Sequence, residues 1–212
     1  MSDKLDLYAK ASKLSLENAQ RWINDAELLI GNSSFGHASA LLRFAFEELA
    51  KAYVCWFTSE KMWPVENKVV RDVFSKHIVK NQVIMGVFYS VAFISTYGKE
   101  ELIAERPEVS DEEITEAFRP FKDIPVMIEK MRQKAIYVHL NLKKKETETP
   151  LTIGRKEATS LLRGGKHLLT IIKIYIEIFP DSSKEILRLI FSSIPKVAWK
   201  TGEIPIEWFR EK

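Results

Sequence analysis

Cysteine is nearly absent: Cys55 is the single one in 212 residues. No intramolecular disulfide can form, and one chain cannot supply a multi-cysteine zinc site. Cys55 lies in an apolar stretch and reads as a small buried apolar residue. Glycine and proline are sparse, at 8 each, so long stretches run without a breaker, which suits helices. No sign of charge dominates. Lys and Arg total 32 against 29 Asp and Glu, a net charge of +3, too mild to argue for nucleic acid on charge alone. The longest apolar run, around Val83 to Ile94, falls short of the roughly 18 residues a membrane span needs. The first residues, Met1 to Asp6, lack the apolar core of a secretory signal. There is no Gly-rich phosphate loop and no His–Glu pair at zinc-ligand spacing. A soluble cytoplasmic protein with no membrane contact, no metal and no cofactor is therefore expected. The apolar share of 46% is that of a globule with a core and excludes intrinsic disorder.

What is present is helical periodicity. Leu5, Ala9, Ser12, Leu16, Ala19, Ile23, Ala26 and Ile30 step by four and three in alternation. They form one helix face, which Gly31-Asn32 should end. Ser33 or Ser34 can cap a second helix over roughly 35–59, with Leu42, Ala45, Leu49, Ala52 and Trp56 on its core face. Trp63-Pro64 breaks the chain, and a third helix is expected from about Val65 to Tyr97. Ser110-Asp111-Glu112-Glu113 reads as a capping box that opens a short helix. A further helix is expected between about Phe121 and Leu140. Pro150 and Thr152 precede a long helix that ends near Pro180, with Gly164-Gly165 inside it, which permits close packing. Asp181 or Ser182 opens a shorter helix to about Ser193, and the tail is irregular. The one strand candidate is Ile136 to Leu142, which alternates with period two. Whether that segment continues a helix or forms a strand stays open. No repeat is visible. The fold class is all-α, an antiparallel helical bundle of four to five long helices with short C-terminal helices. A single domain over 1–212 is expected, with 181–212 as a helical extension.

Four constellations could carry chemistry. The first is Glu47-Glu48-Leu49-Ala50-Lys51. Glu47 has Arg43 four residues back and Lys51 four on, which fits a charged surface ladder. Glu48 has Phe44, Ala45 and Ala52 as helical neighbours and points at apolar surface, where a carboxylate needs a partner. The second is Arg132 with His139, seven residues apart. On a continuous helix this spacing puts both on one face. Arg holds a fixed charge against phosphate, and His exchanges protons near neutrality. Together they could cleave RNA without a metal, through attack of the 2′-hydroxyl on its neighbouring phosphate. The third is His77 with Lys80, which share a helix face. A lone helical His is more often a structural hydrogen bonder. The fourth is Lys143-Lys144-Lys145, usually a solvated loop, which would also dock a polyanion such as RNA beside the Arg/His pair.

These pieces, in this order, resemble the AbiV-type abortive-infection proteins, a branch of the HEPN superfamily. The resemblance rests on Asn18-Ala19 with Asp25-Ala26, on Ala38 and Phe44 to Ala52, on Phe74, His77 and Lys80, and on Arg132 with Ile136-Tyr137-Val138-His139 before Pro150. It covers roughly residues 14–155 and implies a helical bundle, commonly a homodimer. In active HEPN ribonucleases, an Arg followed after four to six residues by His converges from both protomers at the dimer interface. Arg132 and His139 match that pattern as the catalytic pair. Glu48 or Glu47 matches the supporting acidic position of the second helix, with Lys51, His77, Lys80 and Tyr137 as further supporting polar residues. The implied biology is toxin-like RNA cleavage in phage defence, with room for a regulatory partner protein. The competing expectation is a non-catalytic interaction module that binds a partner protein, nucleotide or RNA, in which Arg132, Glu48 and His77 form a buried polar network.

Overall fold

A computed structural model describes residues 2–97, 132–141 and 146–178. Helix α1 runs Ser2–Gly31 and α2 runs Phe35–Ser59. The periodic stripe of α1 faces inward throughout: Ser12, Ala19, Ile23 and Ala26 are buried, and Leu5, Ala9, Leu16 and Ile30 are partly buried. The link between the helices turns at Ser33, which takes the left-handed conformation with φ 59°. The chain therefore reverses two residues after Gly31. Ser34 stands at the N-cap of α2 but makes no side-chain capping bond, because its hydroxyl is hydrogen-bonded to His37 Nδ1 at 2.9 Å.

The helices α1 and α2 pack antiparallel. The Ser12 hydroxyl donates to the Ala52 carbonyl at 2.8 Å, and the Trp22 and Phe44 rings meet at 5.9 Å. Residue numbers rise on one helix as they fall on the other. Beyond α2, the chain folds back over an aromatic cluster of Tyr53, Trp56, Phe57 and Trp63. The expected single helix over 65–97 is two. Helix α3 spans Lys68–Asp72 and α4 spans His77–Tyr97. Asn67 caps α3 by accepting from the Val69 N–H at 2.8 Å. The chain then breaks at Asp72, whose carbonyl takes the Lys76 N–H and whose carboxylate takes the Lys76 ammonium, each at 2.8 Å. The Asp72 carbonyl also takes the Ser75 N–H at 3.1 Å, so the chain leaves α3 through one shared i,i+3 and i,i+4 turn before α4 begins.

Residues 132–136 are helical, and the chain then turns into strand β1 (His139–Asn141). It pairs antiparallel with β2 (Glu146–Glu148), with His139 opposite Glu148. The helix expected to reach Leu140 thus ends at 136, and the period-two alternation after it is a short ribbon. A 3₁₀ turn at Pro150–Thr152 leads into α5, Arg155–Ile178. Helix α5 runs antiparallel to α1, since Lys166 reaches Glu27 and Lys173 reaches Gln20. Among the described residues, all regular structure apart from this ribbon is helical. The expected elements at 110–113 and 181–193, the Lys143–Lys145 run and the C-terminal extension lie outside the described residues. Among the described residues no helix is long and apolar enough to cross a membrane.

Candidate functional site

At about 3.6 residues per turn, Gly36, Arg43 and Glu47 share one face of α2. Gly36 lies at the ribbon end. A Cβ there would come within 2.3 Å of the Pro150 carbonyl oxygen, so only glycine lets the 3₁₀ turn sit against α2. Arg43 is 2% exposed, and its guanidinium lies 5.7 Å from the centre of the Phe46 ring. Glu47, one turn beyond Arg43, is the polar centre of the α2–α4 contact.

Glu47 is 8% exposed and Lys80 is 5% exposed. The Lys80 ammonium donates to Glu47 Oε2 at 2.9 Å, and His77 Nδ1 meets Glu47 Oε1 at 2.6 Å. The i,i+3 spacing puts His77 and Lys80 on one side of α4, where a single carboxylate reaches both. A buried carboxylate needs such partners, because its desolvation is offset only by close opposite charge and hydrogen bonds. Glu47 is therefore not part of a surface ladder with Arg43 and Lys51, as its sequence neighbours imply. Its partners come from α4.

The two acids exchange the positions expected of them. Glu48, expected at the polar core edge, accepts from Lys51 one turn on at 2.5 Å. It borders a shallow groove on the α1 side with Leu14, Ser15, Glu17, Asn18 and Arg21. One residue turns a helix by about 100°, and that step separates the buried bridge to α4 from the half-open pair beside α1. The signal that finds Glu47 is the His77/Lys80 pair, which requires an anion from whichever helix α4 packs on. A buried network of Arg132, Glu48 and His77 is likewise not formed through Glu48.

Arg132 is half-buried and Ala135 is buried in the helical residues 132–136. Lys134 lies 3.9 Å from Glu157 and tethers this segment to α5. Tyr137 and Val138 are exposed, and His139 opens β1. Because the helix ends first, Arg132 and His139 do not share a helix face. A turn separates them, and their relation is set by how the ribbon is held. That hold is visible on both sides: Lys134 with Glu157, and Pro150 against Gly36.

Cys55 is fully buried in α2, and burial pushes its thiol up to about 12, with Lys51 pulling it down and Glu48 raising it. It is no nucleophile near neutral pH. Burial also raises the Tyr8 phenol, with Cys55 and Glu66 acting the same way. Among the described residues no group of three His, Cys, Asp or Glu side chains could hold a metal ion.

The AbiV family model of the HEPN class matches residues 7–170. The match runs from the first turns of α1 into α5, and so takes in the Glu47 cluster, Arg132 and His139. No curated protein and no solved structure gives a match. The match spans most of the chain and agrees with its helical fold: this chain belongs to the AbiV family of HEPN proteins.

Proposed function

We propose that this chain is a toxin-like, metal-independent endoribonuclease of phage defence that acts as a cytoplasmic homodimer, with Arg132 and His139 as the catalytic pair. In this reading the 2′-hydroxyl of a nucleotide gives its proton to a base, and its oxygen attacks the neighbouring phosphorus. The 5′-oxygen leaves and takes up a proton. The products carry a 2′,3′-cyclic phosphate and a 5′-hydroxyl. His139 moves a proton in this exchange, and Arg132 stabilises the charge that builds on the phosphate. Lys143, Lys144 and Lys145 would draw the polyanion toward the ribbon.

One observation carries the reading. The Arg132–His139 segment leaves its helix at 136 and surfaces through exposed Tyr137 and Val138, with Lys134 3.9 Å from Glu157 on α5 and the Pro150 turn beyond the ribbon seated on Gly36. An exposed, anchored segment is what a reacting phosphate requires, since catalytic geometry tolerates little slack. The family match over 7–170 includes it.

The test is cleavage of total RNA and of a labelled single-stranded oligomer in EDTA, with wild type and His139→Ala side by side. Cleavage by wild type alone is expected, with folding and sedimentation unchanged in the variant. Equal cleavage by both removes His139 from the reaction. No cleavage by either moves the assignment to the interaction module, which the Glu47 cluster favours, since its bonds join α2 to α4 without needing a substrate.

A further inference from the structure

Glu47 and Lys80 already balance each other. One carboxylate and one ammonium, on residues 8% and 5% exposed, meet at 2.9 Å. His77 adds a second bond to the same carboxylate at 2.6 Å, though the charge needs no further compensation. Its own side chain is 45% exposed. The arrangement therefore serves the imidazole. A carboxylate on Nδ1 fixes the ring plane and places the proton on that nitrogen. Nε2 then lies on the far side of the ring from Glu47, and it has no partner among the described residues. Nε2 of a ring held this way faces a fixed direction at the surface, where the imidazolium form of His presents an N–H donor.

Such a group recognises an anion. Phe74, in the turn before α4, and Ile78, next to His77 on α4, are both exposed, so an aromatic and an apolar side chain are offered to solvent within a few residues of the imidazole. Phosphate beside an aromatic ring is the repeating chemistry of single-stranded nucleic acid, in which bases stack on rings while the backbone meets donors. Along α2, Glu47 lies eleven residues from Gly36, about 16 Å, on nearly the same face. Gly36 carries the Pro150 turn that follows the ribbon. A few nucleotides of extended strand cover such a distance.

We propose that His77, held by Glu47 and Lys80, is a phosphate-binding subsite for single-stranded RNA, separate from the Arg132/His139 segment, with Phe74 as its stacking surface. This rests on the ribonuclease reading for its substrate and goes beyond it in naming a second contact on the strand. Glu47 is a positioning residue here, and Nε2 of His77 is the contact atom.

The experiment uses the full chain carrying His139→Ala, so that bound RNA stays intact. Binding of a labelled single-stranded RNA is followed by fluorescence anisotropy across a salt series at about pH 6, with AMP as a second probe. His77→Gln, His77→Ala and Phe74→Ala are added singly to this background. His77→Gln is expected to weaken RNA binding about tenfold, the worth of one charge-assisted hydrogen bond. It should also lower the slope of log affinity against log salt by about 0.7, one phosphate contact on a single strand. Phe74→Ala should weaken binding about fivefold with the slope unchanged. A purely structural role would move the melting temperature and leave the salt slope alone. Unchanged RNA affinity in both His77 variants overturns the subsite, and if wild type still cleaves RNA the ribonuclease reading stands without it. A wild type that cleaves no RNA, with a His139→Ala chain that binds none, overturns both. A His77-dependent loss seen with AMP but not with RNA overturns RNA as the ligand and assigns the site to a free nucleotide.

Discussion

At the scale of single residues, the buried Glu47 governs what the α2–α4 contact tolerates. Removing it strands the Lys80 ammonium in a nearly water-free position. Removal of one partner of a buried pair costs about 3–5 kcal/mol, far more than the net worth of the pair, because the survivor keeps its desolvation penalty. Glu47→Ala is therefore expected to lower the urea midpoint sharply, whereas Glu48→Ala should cost under about 1 kcal/mol, since its bond to Lys51 is a part-buried pair within one helix turn whose loss leaves Lys51 free to reach solvent. Comparable losses for the two variants would contradict the buried assignment. Cys55 supplies a second check at this scale. Its thiol rises from the ordinary value of 9.0 to about 12 through burial. Between those values the unfolded chain sheds the proton that the folded chain keeps, so this group's contribution to stability is complete below about pH 9 and falls as pH rises towards 12. The thiol should be inert to a thiol-specific reagent at pH 8 until the chain unfolds. Rapid labelling of native protein would show that α2 opens.

At the scale of elements, the two glycine positions on the helix contacts behave in opposite ways. Gly36 has no room for a side chain: a Cβ would stand 2.3 Å from the Pro150 carbonyl oxygen and 2.7 Å from its carbon, both backbone atoms that cannot swing aside. Gly165 has room. A Cβ there would meet Leu42 at 3.6 Å and Ile23 at 3.7 Å, ordinary contact distances. The Gly164-Gly165 pair thus sits close against α1 and α2, as its sequence position allows, while still leaving room for a methyl group at Gly165. Gly165→Ala should stabilise by about 0.5–1 kcal/mol, the helix-propensity difference. Gly36→Ala should destabilise and push the Pro150 turn off α2. Thermal melts of the two variants check both signs, and an increase in melting temperature for Gly36→Ala would refute the contact. The helices themselves were readable in advance because their signals are local. The α1 stripe and the 35–59 span follow from periodicity, and both agree with the structure. The break at 73–76 was not readable, since Asp72 and Lys76 stand four residues apart, a spacing that fits an uninterrupted helix equally well. The Glu47 assignment failed for a related reason. Local neighbours predict a ladder, and only the packing of α4 against α2 brings His77 and Lys80 to the acid. Sequence alone carries the pattern within an element and loses what one element does to another.

At the scale of the whole molecule, the proposed homodimer makes a kinetic claim that no single chain can satisfy. If Arg132 and His139 act only when two copies bring their segments together, the monomer is inactive however well it is folded. The exposed Tyr137 and Val138, which separate the pair in sequence, would then be covered on association. Hydrophobic side chains presented on an anchored surface segment are the kind that interfaces bury at their centre. Two measurements are thereby linked. Specific activity on a labelled RNA should climb with protein concentration and level off over the range in which sedimentation records the passage from monomer to dimer. Val138→Lys, which sets a charge at the centre of that surface, should move both curves to higher concentration together while leaving the melting temperature of the monomer unchanged. If activity per chain instead stays constant through the dissociation range, a single copy contains everything the reaction needs, and Arg132 and His139 must meet within it across the turn at 137–138.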